Sequence, residues 1–228
     1  MTTNNKVQET VQIPVDSVSL SGDITIPEGI KGVVLFAHGS GSGRKSPRNR
    51  YVAKVLQDAG LGTLLFDLLT QEEEVVDSQT RHLRFDIVML SKRMVSVTDW
   101  FVQNRAMSST LSIGYFGAST GTAAALVAAA KRTDEVKAVV SRGGRPDLAD
   151  AYLGQIRAPT LLIVGGYDRP VIQMNQEAFG KLKQLSPERD EKKLVIVPEA
   201  THLFEESGKL ELVAQLAMEW FARLLSKV

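Results

Sequence analysis

The 228-residue chain contains no cysteine. That excludes disulfide bonds, thiolate metal sites and a cysteine nucleophile, and it suits a reducing compartment. Histidine is scarce, with three in the chain, so few side chains can shuttle protons near neutral pH. No apolar run approaches the ~18–20 residues that a membrane helix needs. The opening MTTNNKVQETVQIP lacks the apolar core of a secretory signal, so a cytoplasmic protein with no membrane partner is expected. An excess of charge is missing too. The net charge is +1, which gives no global drive toward nucleic acid or anionic surfaces. No repeat, low-complexity tract or Pro/Gly/Ser linker divides the sequence, so one domain over 1–228 is expected.

What is present is a composition of 43% hydrophobic and 23% charged residues, enough for one sizeable core. Residues 7–13 and 18–26 read as two opening strands. Short apolar, β-branched runs then recur at 32–38, 62–69, 111–118, 136–144, 160–168 and 193–200, as buried parallel strands do. Between them, Ser46-Pro47 starts a helix that Gly60 closes, and further helices are expected over 83–104, from Thr120, over 171–185 and from about Ser207. Leu210, Val213, Leu216, Ala217, Trp220 and Leu224 form one apolar stripe on the last. This rhythm predicts an α/β fold, a mostly parallel sheet of about eight strands with helices on both faces. In such sheets reactive groups collect at the carboxyl ends of the strands.

Three polar residues sit at those ends: Ser119 after the fifth strand, Asp168 after the seventh and His202 after the eighth. A serine hydroxyl becomes a nucleophile when a base takes its proton, and His202 is the candidate base. Asp168 would fix one imidazole tautomer and stabilise its positive charge. Asp147, after the sixth strand, competes for that role. Ser119 lies in Gly117-Ala-Ser-Thr-Gly121, where glycines two residues either side leave room for a strained strand-to-helix turn. Alone, Gly-x-Ser-x-Gly turns up by chance in roughly one chain of this length in ten. Its position between a predicted strand and a predicted helix gives it weight. The bland alternative is an ordinary N-cap serine.

The loop HGSGSGR (38–44) supplies backbone amides for a developing oxyanion. It is not a phosphate loop, because Arg44 and Lys45 follow Gly43 where Gly-Lys-Ser/Thr would be needed, and a dinucleotide fingerprint would need a glycine at 44. His82, ahead of a helix, reads as solvated.

Taken together, His38-Gly39, the Gly117–Gly121 elbow, LLIVGGYD and ATHLF resemble the α/β-hydrolase superfamily, in its small dienelactone-hydrolase-like branch, over residues 18–228. The resemblance implies an α/β-hydrolase fold and a serine hydrolase acting on a small carboxylic ester or lactone through an acyl-enzyme, with no cofactor and no metal. It also implies that the amides of Ser40 and Thr120 form the oxyanion hole. Dienelactone hydrolases themselves use a cysteine nucleophile. Ser119 at that position points to a serine esterase instead. The superfamily also holds acyltransferases and non-catalytic proteins, which remain the alternatives.

About fifteen residues separate Gly144 from Thr160, too few for a helical cap domain, so an open site for small substrates is expected. Arginines crowd the predicted site. Arg48, Arg142 and Arg145 are candidate binding groups for an anionic substrate. Alternatively, Arg44, Lys45, Arg50, Arg169 and these three brace loops by pairing with Asp67, Asp147 and Glu72–Glu74. The sequence does not fix the oligomeric state.

Overall fold

The β-branched runs form the middle of one eight-stranded sheet in a computed structural model that describes residues 6–104, 111–182 and 192–226. The strands are β1 (Lys6–Val15), β2 (Val18–Pro27), β3 (Gly32–Ala37), β4 (Gly62–Phe66), β5 (Ser112–Ala118), β6 (Val136–Arg142), β7 (Thr160–Gly165) and β8 (Lys192–Val197). Their spatial order is β1-β2-β4-β3-β5-β6-β7-β8. Pairing is parallel from β4 through β8, and antiparallel where β2 meets β1 and β4.

Among the described residues seven helices cover the two faces: α1 (Pro47–Asp58), α2 (Gln71–Thr80), α3 (Ile87–Asn104), α4 (Thr120–Lys131), α5 (Asp150–Leu153), α6 (Arg169–Lys181) and α7 (Lys209–Leu225). Strand alternation divides the core between them. On β3, Val33 and Leu35 pack with α3 and α4, whereas Val34 and Phe36 pack with α1 and α7. The alanine-rich α4 is buried along nearly its whole length. A helix apolar all round needs cover on every side, and small side chains let it sit close to the sheet. On α7 the buried stripe is Val213, Ala214, Ala217, Trp220, Phe221 and Leu225; Leu210, Leu216 and Leu224 flank it, half-buried.

Several boundaries differ from the sequence reading. The helix expected over 83–104 begins at Ile87, after a single 3-10 turn at Leu83–Phe85, because Asp86 caps it: its Oδ1 accepts from Met89 N–H at 2.9 Å. The strands expected to end at Leu69, Gly144, Asp168 and Ala200 end at Phe66, Arg142, Gly165 and Val197, so their last residues are loop. Of the helix expected over 171–185, residues 183–185 lie outside the described residues. α2 was not foreseen. Its start is a capping box, in which Thr70 Oγ1 accepts from Glu73 N–H and Glu73 accepts from Thr70 N–H. Between β6 and β7 lie only a 3-10 turn at Pro146–Ala149 and the four-residue α5, as the segment's length implied. Among the described residues no helix is long and apolar enough to cross a membrane.

Candidate active site

Ser119 stands between β5 and α4 with φ 50° and ψ −124°, a left-handed backbone that a serine seldom adopts. Its N–H donates to Arg142 O at 3.2 Å, and its own carbonyl accepts from Thr122 and Arg145 N–H at 3.1 and 3.0 Å. Three backbone bonds thus hold one strained residue. The flanking glycines are obligatory for packing. A methyl on Gly117 would lie 2.5 Å from Thr122 Cα, and one on Gly121 would collide with the carbonyls of Ala37 and His38. Although Ser119 occupies the N-cap position of α4, its side chain makes no capping bond. The ordinary N-cap alternative therefore fails, and the hydroxyl is left for other work.

Two loops bring His202 and Asp168, the candidate base and acid, together. Gly166 N–H donates to Val197 O, and Tyr167 N–H donates to Ala200 O, which laces the β7–α6 loop to the β8–α7 loop. Across that seam His202 Nδ1 meets Asp168 Oδ2 at 2.6 Å. Asp168 is largely sheltered and His202 half-exposed. Glu199 and Phe204, either side of His202, also have positive φ. Asp147, the competing acid, lies instead against Arg145: Nε to Oδ1 at 2.9 Å and Nη2 to Oδ2 at 2.7 Å.

The loop after β3 is built for rigidity. Buried His38 accepts from Leu68 N–H through Nε2 at 2.8 Å and donates from Nδ1 to Gly39 O at 2.9 Å. Those two backbone partners set its tautomer, and burial holds its imidazole below the ordinary histidine value. At the far end of the loop, Asp67 takes Arg44 N–H at 2.7 Å and also its guanidinium. Ser40 N–H, expected to face an oxyanion, donates to Thr120 Oγ1 at 3.1 Å, and the two hydroxyls stand 3.0 Å apart. The N–H of Thr120 is the first of α4, where the leading amides have no acceptor within the helix. Glu74 of α2 lines a small cavity with Ser40, Gly41 and Thr120. Its carboxyl is pushed up by burial and then by Asp77. The sequence reading named it only as a possible partner for the arginines, not as a lining of this cavity. The Thr70–Glu73 box, legible as Thr-x-x-Glu, was the signal that could have placed it.

The basic residues divide. Arg145 is committed to Asp147, Arg44 to Asp67 and Asp23, and Lys45 to Asp23. Arg48 reaches Glu205 at 2.9 Å. Arg142 points into the protein and has one weak contact, Nη2 to Asn49 Oδ1 at 3.4 Å. Among the described residues no group of three or more His, Asp or Glu is placed to hold a metal ion.

Sheet order, elbow and a loop-borne His–Asp pair define an α/β hydrolase. A family model described as the dienelactone hydrolase family matches residues 20–226, and the chain belongs to that family. A solved dienelactone hydrolase from Anabaena variabilis is 59% identical, with a TM-score of 0.91 over 96% of this chain and 99% of that one. Est1E from Butyrivibrio proteoclasticus, 16% identical, shares the fold with a TM-score of 0.76 over 94% of this chain and 98% of that one. A Xanthomonas campestris serine hydrolase described as lacking a lid does so at 18% identity, with a TM-score of 0.73 over 97% and 96%. A curated protein of Mycobacterium tuberculosis, provisionally named a phosphoribosyl transferase, is 54% identical over 213 residues. Those residues are 93% of this chain and 46% of that protein, so the chain spans about half the length of its curated relatives. Family and neighbours support a hydrolase.

Proposed function

We propose that the chain is a serine hydrolase of small carboxylic esters or lactones, working through an acyl-enzyme. The observation that carries this reading is the strained Ser119, unused as a cap, at the same strand-end edge as a 2.6 Å His202–Asp168 pair. His202 Nε2 takes the Ser119 proton as Oγ attacks the carbonyl, then returns it to the leaving alcohol. Asp168 keeps the other ring nitrogen protonated and balances the imidazolium that forms. Water, activated by the same histidine, releases the acid. The amides of Thr120 and Ser40 receive the oxyanion at the positive end of α4. For Ser40 this means that Thr120 Oγ1 gives up the N–H it holds in the free protein.

The short β6–β7 segment offers no helical cap, which favours short acyl chains over long lipids. The transferase name of the curated relatives belongs to proteins about twice this length, and an elbow serine with a His–Asp pair suits acyl chemistry rather than ribosyl transfer.

Labelling with a fluorophosphonate, followed by peptide mapping, tests the reading. The expected result is one adduct on Ser119, together with hydrolysis of short aryl esters that slows as the acyl chain lengthens. A protein that neither labels nor hydrolyses short esters is a binding protein on a hydrolase fold.

A further inference from the structure

Two arginines in this protein are equally buried and very differently satisfied. Arg93 on α3 is 6% exposed. It donates to Leu68 O at 2.7 Å and to both oxygens of Glu73 at 2.6 Å. Arg142, the last residue of β6, is 8% exposed. Beyond its weak contact with Asn49, its Nε and Nη1 have no hydrogen-bond partner among the described residues, and the Nε of neighbouring Arg48 has none there either. Buried charges are ordinarily paired, and an arginine that served only as a strut would be expected to look like Arg93.

Strand alternation explains where Arg142 points. Ser141 faces α4, with its hydroxyl 3.2 Å from that of Thr122. Arg142 therefore faces the opposite layer, where α1 presents Arg48 and Asn49. Burial and the adjacent Arg48 charge lower its guanidinium to about 10, so it stays cationic at neutral pH. The carboxylate found nearby, Glu205, is taken by Arg48 and is 62% exposed. This cluster is next to the candidate site: Arg142 O holds Ser119 N–H, and a methyl on the following Gly143 would touch the His202 ring at 3.5 Å.

We infer that Arg142, Arg48 and Asn49 seat a phosphate-type oxyanion beside the Ser119 elbow, either inorganic phosphate or a phosphomonoester carried by a substrate. Three unpaired guanidinium nitrogens, contributed by two elements, match the three terminal oxygens of such a group better than the two coplanar oxygens of a carboxylate. Two positive charges facing one exposed carboxylate match its charge. The Arg48–Glu205 pair is weak enough at the surface to open for entry. The substrate-borne case rests on the esterase reading. Anion binding itself does not.

The test titrates inorganic phosphate into the purified protein and into Ser119→Ala at constant ionic strength, with chloride and acetate as controls, read by calorimetry and thermal unfolding. Phosphate should bind both proteins and raise Tm, while the controls should not. Arg48→Ala should weaken binding about tenfold or more, and Arg142→Met about a hundredfold. Because Ser119→Ala must bind as well, a failure to hydrolyse esters leaves this readout standing. The source of the anion follows from comparing an ester that bears a phosphomonoester with its neutral isostere. A kcat/KM preference lost in Arg48→Ala assigns the group to the substrate. Equal kcat/KM values alongside intact phosphate binding assign it to free phosphate. The inference is overturned if wild type shows no phosphate-dependent heat or Tm shift. It is equally overturned if acetate binds as tightly, or if both arginine variants bind like wild type. Should Arg142→Met not fold, the partly exposed Arg48 decides alone.

Discussion

The α2–α3 side of the loop after β3 and the ends of β5 to β8 hold comparable sets of polar side chains, yet they handle them differently. On the first side most groups are spent on one another, although Arg44 Nε has no hydrogen-bond partner among the described residues. Arg93 fills its fork with Glu73 and Leu68 O, Arg84 takes the buried Asp77, and Arg44 takes Asp67. At the strand ends, Ser119 makes no capping bond, Arg142 is barely satisfied, and Ser119, Glu199 and Phe204 carry unfavourable backbone angles. Satisfied networks fix a loop in place. Strained and unsatisfied groups cost stability and persist where surrounding structure enforces them, which is how reactive sites are built. Substitutions in the two regions should therefore separate activity from stability.

The largest effect belongs to the strand ends. Ser119→Ala should lower kcat for a short aryl ester by about 10⁶-fold while leaving the unfolding midpoint unchanged or higher, since a strained reactive site is relieved. Asp168→Asn should cost up to about 10⁴-fold by permitting the wrong His202 tautomer. Asp147→Asn, which loosens only the Arg145 brace, should cost less than about tenfold. A reversed ranking of the two aspartates, measured as kcat on one ester, would reassign the acid.

Why the sequence could rank some of these residues and not others is a matter of what each depends on. Strands were legible because the buried parallel β3 to β7 needed continuous β-branched runs. The elbow was legible because close packing of α4 on the sheet demands glycine at 117 and 121. Asp168 was favoured over Asp147 because it directly follows an apolar strand, but the side chain that stands opposite it, His202, comes from a separate loop. The arginines show the same limit. Arg145 meets an aspartate two residues on, whereas the role of Arg142 depends on the face of β6 it occupies and on Asn49, far away in sequence. α2 was missed because QEEEVVDSQT carries almost no apolar face. Asp77 is its one buried residue.

A smaller effect probes the satisfied side. Arg93→Met removes one partner of a buried pair and strands the Glu73 carboxylate, whose pKa Arg93 holds below its ordinary value. The loss should be about 2–4 kcal/mol, toward the low end because Glu73 keeps some solvent contact. Adding Glu73→Gln should recover part of it, with denaturant midpoints giving the coupling. Ester turnover at 25 °C should change little once corrected for folded fraction. A large drop in kcat with unchanged stability would erase the contrast between the two regions.

The smallest effect concerns His38, the histidine that the satisfied side keeps neutral. Burial lowers its folded-state pKa, against the opposing pull of its bond to Gly39 O and the charge of Asp67. In the unfolded chain it titrates near the ordinary ~6.5. Below that pH the unfolded state takes up a proton that the folded state refuses. The stability that neutral His38 provides is therefore fully present above pH ~6.5 and declines as the pH falls, by at most about 1.4 kcal/mol per unit. His38→Gln removes this titration, while His82, His202 and the carboxylates contribute alike to both proteins. Between pH 6.5 and 5.5, wild type should lose about 1 kcal/mol more than the variant in urea unfolding. Parallel pH profiles would mean that His38 accepts a proton within the fold. That proton would go on Nε2, breaking the bond from Leu68 N–H and loosening the loop that carries Ser40.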